Sequence, residues 1–453
     1  MKSEKIIKAR RRAWVNWTFL TLFLLIGIPS FIHADIGDIL LKFHPFITAQ
    51  EMYSNNILLS QTNKISDFIT VVSPGFRFVD LAPGAYGINL DVIAGYTYYE
   101  KNHDFSYFSP SLNLNAWYAI SPTLTFRLGD YLIRSDAARE SVISAGAESA
   151  GVVSDQSLLS TETGAHAIYL RNVAQPSMEY RFGRENLFSV LYRNNVYHNQ
   201  KSDLFEDSQE NTIDPKINYW FDIRNGVTLE YILTYGHFQR SPDLVGNGAR
   251  GRYTYRFDPK LSIFGQYYFL RETFKDPGVD YDVHNPTLGV EYRLSPTLTG
   301  TAQAGYFWQI PDQGSRTKGP FFNMSLIEKG ERTTYTLLLQ GGYNQDYFTA
   351  QNLGFNKYYT AFGAIDHRFT ERMSLRATGS GERAMYAGGR KDWIWNVRGG
   401  PAYLLFRWLS LSLEASYRMD HSNISGLGYK EYRGIFGITL AQPGFQQPMH
   451  GSF

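Results

Sequence analysis

The feature that most restricts this chain is a side-chain alternation of period two that runs through nearly all of it. From residue 409 the odd positions read Leu409, Leu411, Leu413, Ala415, Tyr417 and Met419, and the even ones Ser410, Ser412, Glu414, Ser416, Arg418 and Asp420. Successive strand side chains point to opposite faces, so such a segment has one oily face and one that suits water. Ile88, Leu90, Val92, Ala94, Tyr96 and Tyr98 alternate likewise with Asn89, Asp91 and Thr97, as do Val227, Leu229, Tyr231, Leu233 and Tyr235 with Thr228, Glu230 and Thr234. Leu298, Ala302, Ala304, Tyr306 and Trp308 stand against Thr297, Thr299, Thr301 and Gln303. From Asp35 onward no stretch approaches the roughly 18 apolar residues of a spanning helix. If this part of the chain enters a membrane, it does so as strands.

Short turn signals punctuate the strands: Ala82-Pro83-Gly84, Ser121-Pro122, Gly183 to Asn186, Arg224-Asn225-Gly226, Asp258-Pro259-Lys260, Ser295-Pro296, Glu328-Lys329-Gly330, Thr370-Glu371-Arg372 and the region of Arg407. Gly, Pro, Asn and Asp supply the dihedrals that tight hairpins need. Longer polar segments lie between them, at 101–104, 198–210, 241–247, 274–280, 311–318 and 345–352. Nine hairpins, with further strands at 44–53 and 429–441, predict about 18–20 strands, in the even-numbered range of bacterial barrels. Short periplasmic turns alternating with longer extracellular loops are the habit of a transmembrane antiparallel up-and-down β-barrel. No linker or shift in composition marks a second domain, so residues 35–453 are read as one barrel.

A soluble sandwich or propeller also alternates, with its apolar face turned inward. Three features favour the inverted arrangement. The strands are long, on the order of 12–14 residues, where soluble ones average about 5–6. Aromatic residues, 16% of the chain, cluster toward strand ends, as at Tyr96, Tyr98 and Tyr99, Tyr219 to Phe221, Tyr267 to Phe269, Tyr306 to Trp308, and Trp393 with Trp395. Rings with a polar tip suit the lipid–water interface. The opposite face also carries charges at mid-strand, which are expensive against lipid. The expected location is the cell outer membrane.

The N-terminus agrees with export. Lys2, Lys5, Lys8 and Arg10 to Arg12 precede an apolar run from Trp17 to Ile28, then Pro29, Ser30 and Ile32-His33-Ala34. That order matches a secretory signal peptide over 1–34, and a permanent membrane anchor is the alternative. Removing six basic residues and Glu4 turns the formal charge of +2 into about −3. A near-neutral chain has no electrostatic footprint for nucleic acid. With no cysteine, disulfide scaffolds and cysteine–zinc sites are excluded. The ten histidines show no ligand-type spacing, and His367, between Asp366 and Arg368, reads as an ordinary strand residue. Asp420-His421-Ser422, where a strand meets a loop, reads as loop polarity rather than as a catalytic trio. No enzyme, metal or cofactor is expected.

One segment is more specific than periodicity. Tyr53-Ser54-Asn55-Asn56-Ile57-Leu58-Leu59-Ser60 and Ser66-Asp67-Phe68-Ile69-Thr70-Val71-Val72-Ser73-Pro74-Gly75-Phe76 resemble the opening of a family of outer-membrane β-barrel porins associated with exopolysaccharide and PEP-CTERM/exosortase gene clusters. Asn55 stands where that family commonly has aspartate. The turns Ser121 to Thr125 and Ser295 to Thr299 are similar to the family's hairpins. The resemblance implies a barrel and a part in exopolysaccharide export, and it implies no catalytic residues. The segment Tyr432 to Leu440 resembles the strand that the barrel-assembly machinery recognises, although a tail with Pro443 and Pro448 follows it.

The candidate lumen-lining residues are Arg77, Asp91, Arg127, Arg193, Glu230, Glu291, Arg293, Arg376, Arg398, Glu414 and Arg418. Arginines outnumber carboxylates in this set, which leans toward an anionic cargo. Phe264 and Tyr268 could stack on sugar rings. The functional expectation is an outer-membrane channel taking part in exopolysaccharide export, with a general diffusion porin or a plugged surface barrel as alternatives. The partners expected are outer-membrane lipids, the barrel-assembly machinery, exopolysaccharide and polysaccharide-export proteins. The segment 135–167, rich in Ser, Ala, Gly and Glu, reads as a solvated extracellular loop or a lumen plug.

Overall fold

The computed structural model describes residues 41–135, 168–200, 205–348 and 352–442. The expected signal peptide and the segment 136–167 lie outside them. The chain divides into two units, Met1–His44 and Pro45–Phe453. Twenty strands follow one another: β1 (Phe43–Ser54), β2 (Asp67–Ala82), β3 (Tyr86–Tyr99), β4 (Tyr107–Ser121), β5 (Leu124–Ser135), β6 (Tyr169–Phe182), β7 (Asn186–Asn199), β8 (Ser208–Trp220), β9 (Asn225–Phe238) and β10 (Leu244–Arg256). Then come β11 (Leu261–Phe274), β12 (Tyr281–Arg293), β13 (Leu298–Pro311), β14 (Thr317–Lys329), β15 (Thr333–Asp346), β16 (Gly354–Arg368), β17 (Met373–Tyr386), β18 (Lys391–Phe406), β19 (Leu409–Ser422) and β20 (Tyr429–Ala441). Each strand pairs antiparallel with its neighbours in sequence, and β20 pairs with β1 from Phe46↔Ala441 to Ser54↔Arg433. The sheet therefore closes on itself, and closure removes the free edges that a wall of 20 strands would leave.

All nine short-turn signals lie at the hairpins of one end, and 20 strands fall at the top of the expected range. The strands run to 16 residues at β2 and β18, slightly beyond the expected 12–14. Several segments read as loops are partly strand. β10 starts at Leu244, β8 at Ser208 and β14 at Thr317, while β15 runs to Asp346.

The oily face looks outward. Leu229, Leu288, Val397, Leu413 and Phe436 are among the exposed large apolar side chains, whereas Glu230, Thr287, Gln340, Glu382 and Glu431 are buried. Exposed rings mark two levels of the outer wall. Tyr96, Phe108, Tyr235, Trp308 and Trp393 lie toward the long connections, and Tyr118, Tyr180, Tyr219, Tyr292 and Tyr403 toward the short turns. Two aromatic girdles around an apolar band about 25 Å tall are what a bilayer selects. The aromatic runs noted in the sequence divide between faces: Tyr306 and Trp308 are exposed, while Phe307 between them is fully buried.

Candidate functional site

The inner wall follows from alternation, because every second residue of each strand must point inward. Most of the sequence-predicted lining residues meet an opposite charge across a strand pair. Arg77 grips Asp91 through two hydrogen bonds, the second at 3.0 Å. Arg127 Nε donates to Glu179 at 2.9 Å, and Arg193 stands 3.8 Å from Glu210. Arg376 reaches Asp366 at 3.4 Å, and Arg398 reaches Glu414 at 3.8 Å. Arg418 is registered opposite the buried Glu431. Arg293 differs, standing exposed at the turn end of β12.

The densest part of this wall runs over β8 to β12. Glu230, nearly buried, lies between Lys216 at 3.5 Å and Arg250 at 3.2 Å. Arg252 binds Glu291 at 2.5 Å and lays its guanidinium 3.6 Å from the centre of the Phe264 ring, a cation–π contact. Phe264 lies over Gly289, its direct partner on β12; a Cβ there would sit 2.1 Å from the ring, so only glycine leaves it room. Arg250 stands over Tyr268 and Arg256 over Trp220 in the same manner. Glu179, Glu210, Asp366 and Glu431 were not singled out in the sequence, nor were Lys216, Arg250 and Arg252.

At the long-connection end an aromatic cluster packs on the inner wall. Leu270, Tyr281, Val283, Phe307, Phe321 and Tyr343 pack together, with Phe274, Tyr347 and Phe355 against them. The outer part of the β15–β16 hairpin contributes Tyr343, Tyr347 and Phe355 to it. The Tyr347 and Tyr281 hydroxyls share a hydrogen bond of 2.9 Å, and Gln345 donates to Glu272 at 3.2 Å and to the Tyr281 hydroxyl at 3.0 Å. Farther along, Phe348 stacks on Phe238 of β9 at 5.3 Å. Asn352 donates to Glu206, in the β7–β8 connection, at 3.1 Å. Glu206 also accepts the amides of Arg240 and Ser241 and the Ser241 hydroxyl. Burial works against its charge, yet these donors outweigh it and hold the carboxyl below its ordinary range. The hairpin thus bends from β15 and β16 toward β9 and is tied down by a buried carboxylate.

The remaining candidates fall apart chemically. Asp420 is buried on the inner face while its neighbour His421 is exposed on the other, so the two cannot form one site. His367 shares a 2.8 Å hydrogen bond with Thr333 and meets the edge of Phe369.

Residues 237–442 match the family model described as "Putative beta-barrel porin 2". No curated protein matches the chain. Among solved structures, a variant of the ferric enterobactin receptor of Pseudomonas aeruginosa in complex with enterobactin is similar at 10% identity and a TM-score of 0.49, over 88% of this chain and 81% of that one. The outer membrane protein OpdK of Pseudomonas aeruginosa is similar at 11% and 0.42, over 88% and 99%. The siderophore receptor PirA of Acinetobacter baumannii is similar at 8% and 0.47, over 88% and 80%. The inverted wall makes the molecule an outer-membrane β-barrel, and the family match covers its second half.

Proposed function

We propose that this barrel is a passive conduit by which an exopolysaccharide crosses the outer membrane. The observation that carries the reading is the chemistry of the inner wall. It is lined by hydroxyls, amides and charges that are mostly neutralised by a partner in the wall itself, with rings set among them. Such a surface exchanges hydrogen bonds with sugar hydroxyls without gripping a charged solute. Phe264 and Tyr268 offer ring faces of the kind that stack on sugars. Porins of 16–18 strands leave an aqueous channel and 22-stranded transporters hold a plug, so 20 strands are enough to enclose water. The eleven predicted lining residues form part of this conduit wall.

In this reading residues 1–34 direct export and are removed after Ala34, and the assembly machinery recognises the strand that ends in Leu440. Energy comes from polysaccharide-export proteins of the inner membrane, since the barrel supplies only a path. N-terminal sequencing of the outer-membrane protein is expected to begin at Asp35, and an intact Met1 would contradict removal. Deleting the gene is expected to abolish secreted polysaccharide and leave polymer in the periplasm. Unchanged secretion in the deletion strain, together with sugar-permeable conductance in a planar bilayer, would replace the export role by general diffusion.

A further inference from the structure

The outer wall is apolar around most of its girth, but the sector over β5 to β8 breaks the rule at mid-depth. On β5 the outward series reads Leu128, Asp130, Leu132. Asp130 is registered against Leu114 of β4, which lies between the exposed Phe108 of the upper girdle and the exposed Tyr118 of the lower one. A carboxyl therefore stands within the hydrocarbon band, among leucines. On β6, in step with the exposed Leu170 and Tyr180, Asn172 donates to Asp130 at 2.7 Å and to the Tyr131 carbonyl at 3.1 Å. On β7 and β8, in step with the exposed Tyr192 and Ile213, Asn194 and Asn211 are direct partners joined at 2.9 Å, and the Tyr192 hydroxyl donates to Asn211 at 2.8 Å. Asn194 and Asp130 are both registered on Ala174, so the polar groups form one continuous sector of four strands.

Acyl chains cannot satisfy these groups. A carboxylate or amide facing lipid is most costly at the mid-depth of Asp130 and Asn172, while Asn211, registered on Tyr235, lies nearer the upper girdle and Asn194 is largely covered. Other outward polar groups pair nearer the strand ends, such as Thr70 with Glu51 and Tyr267 with His284. In the β5–β8 sector Asp130 Oδ2, Asn172 Oδ1, Asn194 Oδ1 and Asn211 Nδ2 have no hydrogen-bond partner among the described residues.

We infer that this sector is the contact face for a second copy of the chain, packed side by side in the membrane about a two-fold axis. Amides both donate and accept, so a patch of one carboxylate and three asparagines is complementary to itself, which is what an isologous contact requires. Phosphate groups of lipid are a poor occupant, because Asp130 repels them and the cation of this face, Arg134, is already bound to the Phe108 carbonyl and to Gln200. Two-fold packing removes the unsatisfied groups from lipid and leaves both lumens intact.

The absence of cysteine makes the test clean. Asn211→Cys and, on the far side, the exposed Leu413→Cys are each introduced into the full chain and treated with a thiol cross-linker in intact outer membranes. The expected result is a two-chain species for Asn211→Cys, none for Leu413→Cys, and loss of most of it when Asp130→Leu is added. Heat-modifiable mobility on gels reports that each barrel is folded. Should Asp130→Leu fail to fold, the comparison of the two cysteine positions still decides. Equal linking at both positions, Asn211→Cys that stays single or links to another molecule, or a two-chain species indifferent to Asp130→Leu in folded protein would overturn the inference.

Discussion

Glu230 lies between Lys216 and Arg250, and a second carboxylate, Asp214, is on the adjoining strand of the same face. Replacing it by alanine leaves two cations without their shared partner. Breaking a buried pair costs about 3–5 kcal/mol, and the exposure of Lys216 puts this case at roughly 3 kcal/mol. Glu230→Ala is therefore expected to lower the unfolding midpoint in urea by a corresponding amount and to shift the reversal potential of any pore current toward anions. An unchanged reversal potential in a folded variant would mean that ions do not pass this wall. That Glu230 faces inward was legible from Thr228, Glu230 and Thr234 alternating with leucine and tyrosine. Its partners were not. Lys216 and Arg250 come from two different strands, and only the register across β8, β9 and β10 brings them to one carboxylate.

Among the elements, the β15–β16 hairpin is the one whose behaviour the sequence hid most completely. Its strands alternate like the others, and nothing local says that Tyr343, Tyr347 and Phe355 pack against β11 to β14 at the mouth. The short turns were legible because their dihedrals demand particular residues. Strand ends at the long connections were not, since the outward face of β10 reads Val245, Asn247, Ala249 and Gly251, which has no oily period to detect. The tether of the hairpin can be cut at one atom pair. Glu206→Ala removes the acceptor of Asn352, Arg240 and Ser241, and the expected outcome is a larger single-channel conductance with faster closures. Acid acts in the same direction. Because the folded-state carboxyl is held below its ordinary value of 4.5, its contribution is complete above that value and is lost as pH falls through the lower one. Conductance is expected to rise as pH falls through that lowered value, and this acid step is expected to vanish in Glu206→Ala. An acid response unchanged in Glu206→Ala would show that another group holds the mouth.

For the whole molecule the decisive step is closure, which no single segment of sequence encodes. The turns specify neighbours one hairpin at a time, but the last strand must find the first from nearly 400 positions away. The seam carries polar contacts suited to that task. Thr48 and Thr439 share a hydrogen bond of 3.2 Å, and Ser54 donates to the buried Glu431 at 2.7 Å. Glu431 is also bound by Arg433 on its own strand. One carboxylate thus joins β1 to β20 and neutralises an arginine inside the wall. Glu431→Ala leaves that arginine without its carboxylate and Ser54 without its acceptor, and it is expected to destabilise by about 3–5 kcal/mol. Because the lost contact spans the seam, the deficit is expected in closure before local pairing: slower conversion from the unfolded to the compact gel mobility during refolding into detergent, with strand content by circular dichroism recovering at the parent rate. Glu431→Gln keeps the acceptor for Ser54 but not the charge, and should recover part of the rate. Equal slowing of both signals in Glu431→Ala would place the defect in strand formation rather than at the seam. Refolding at the parent rate by both measures would mean that the backbone ladder between β1 and β20 closes the barrel without help from the buried carboxylate.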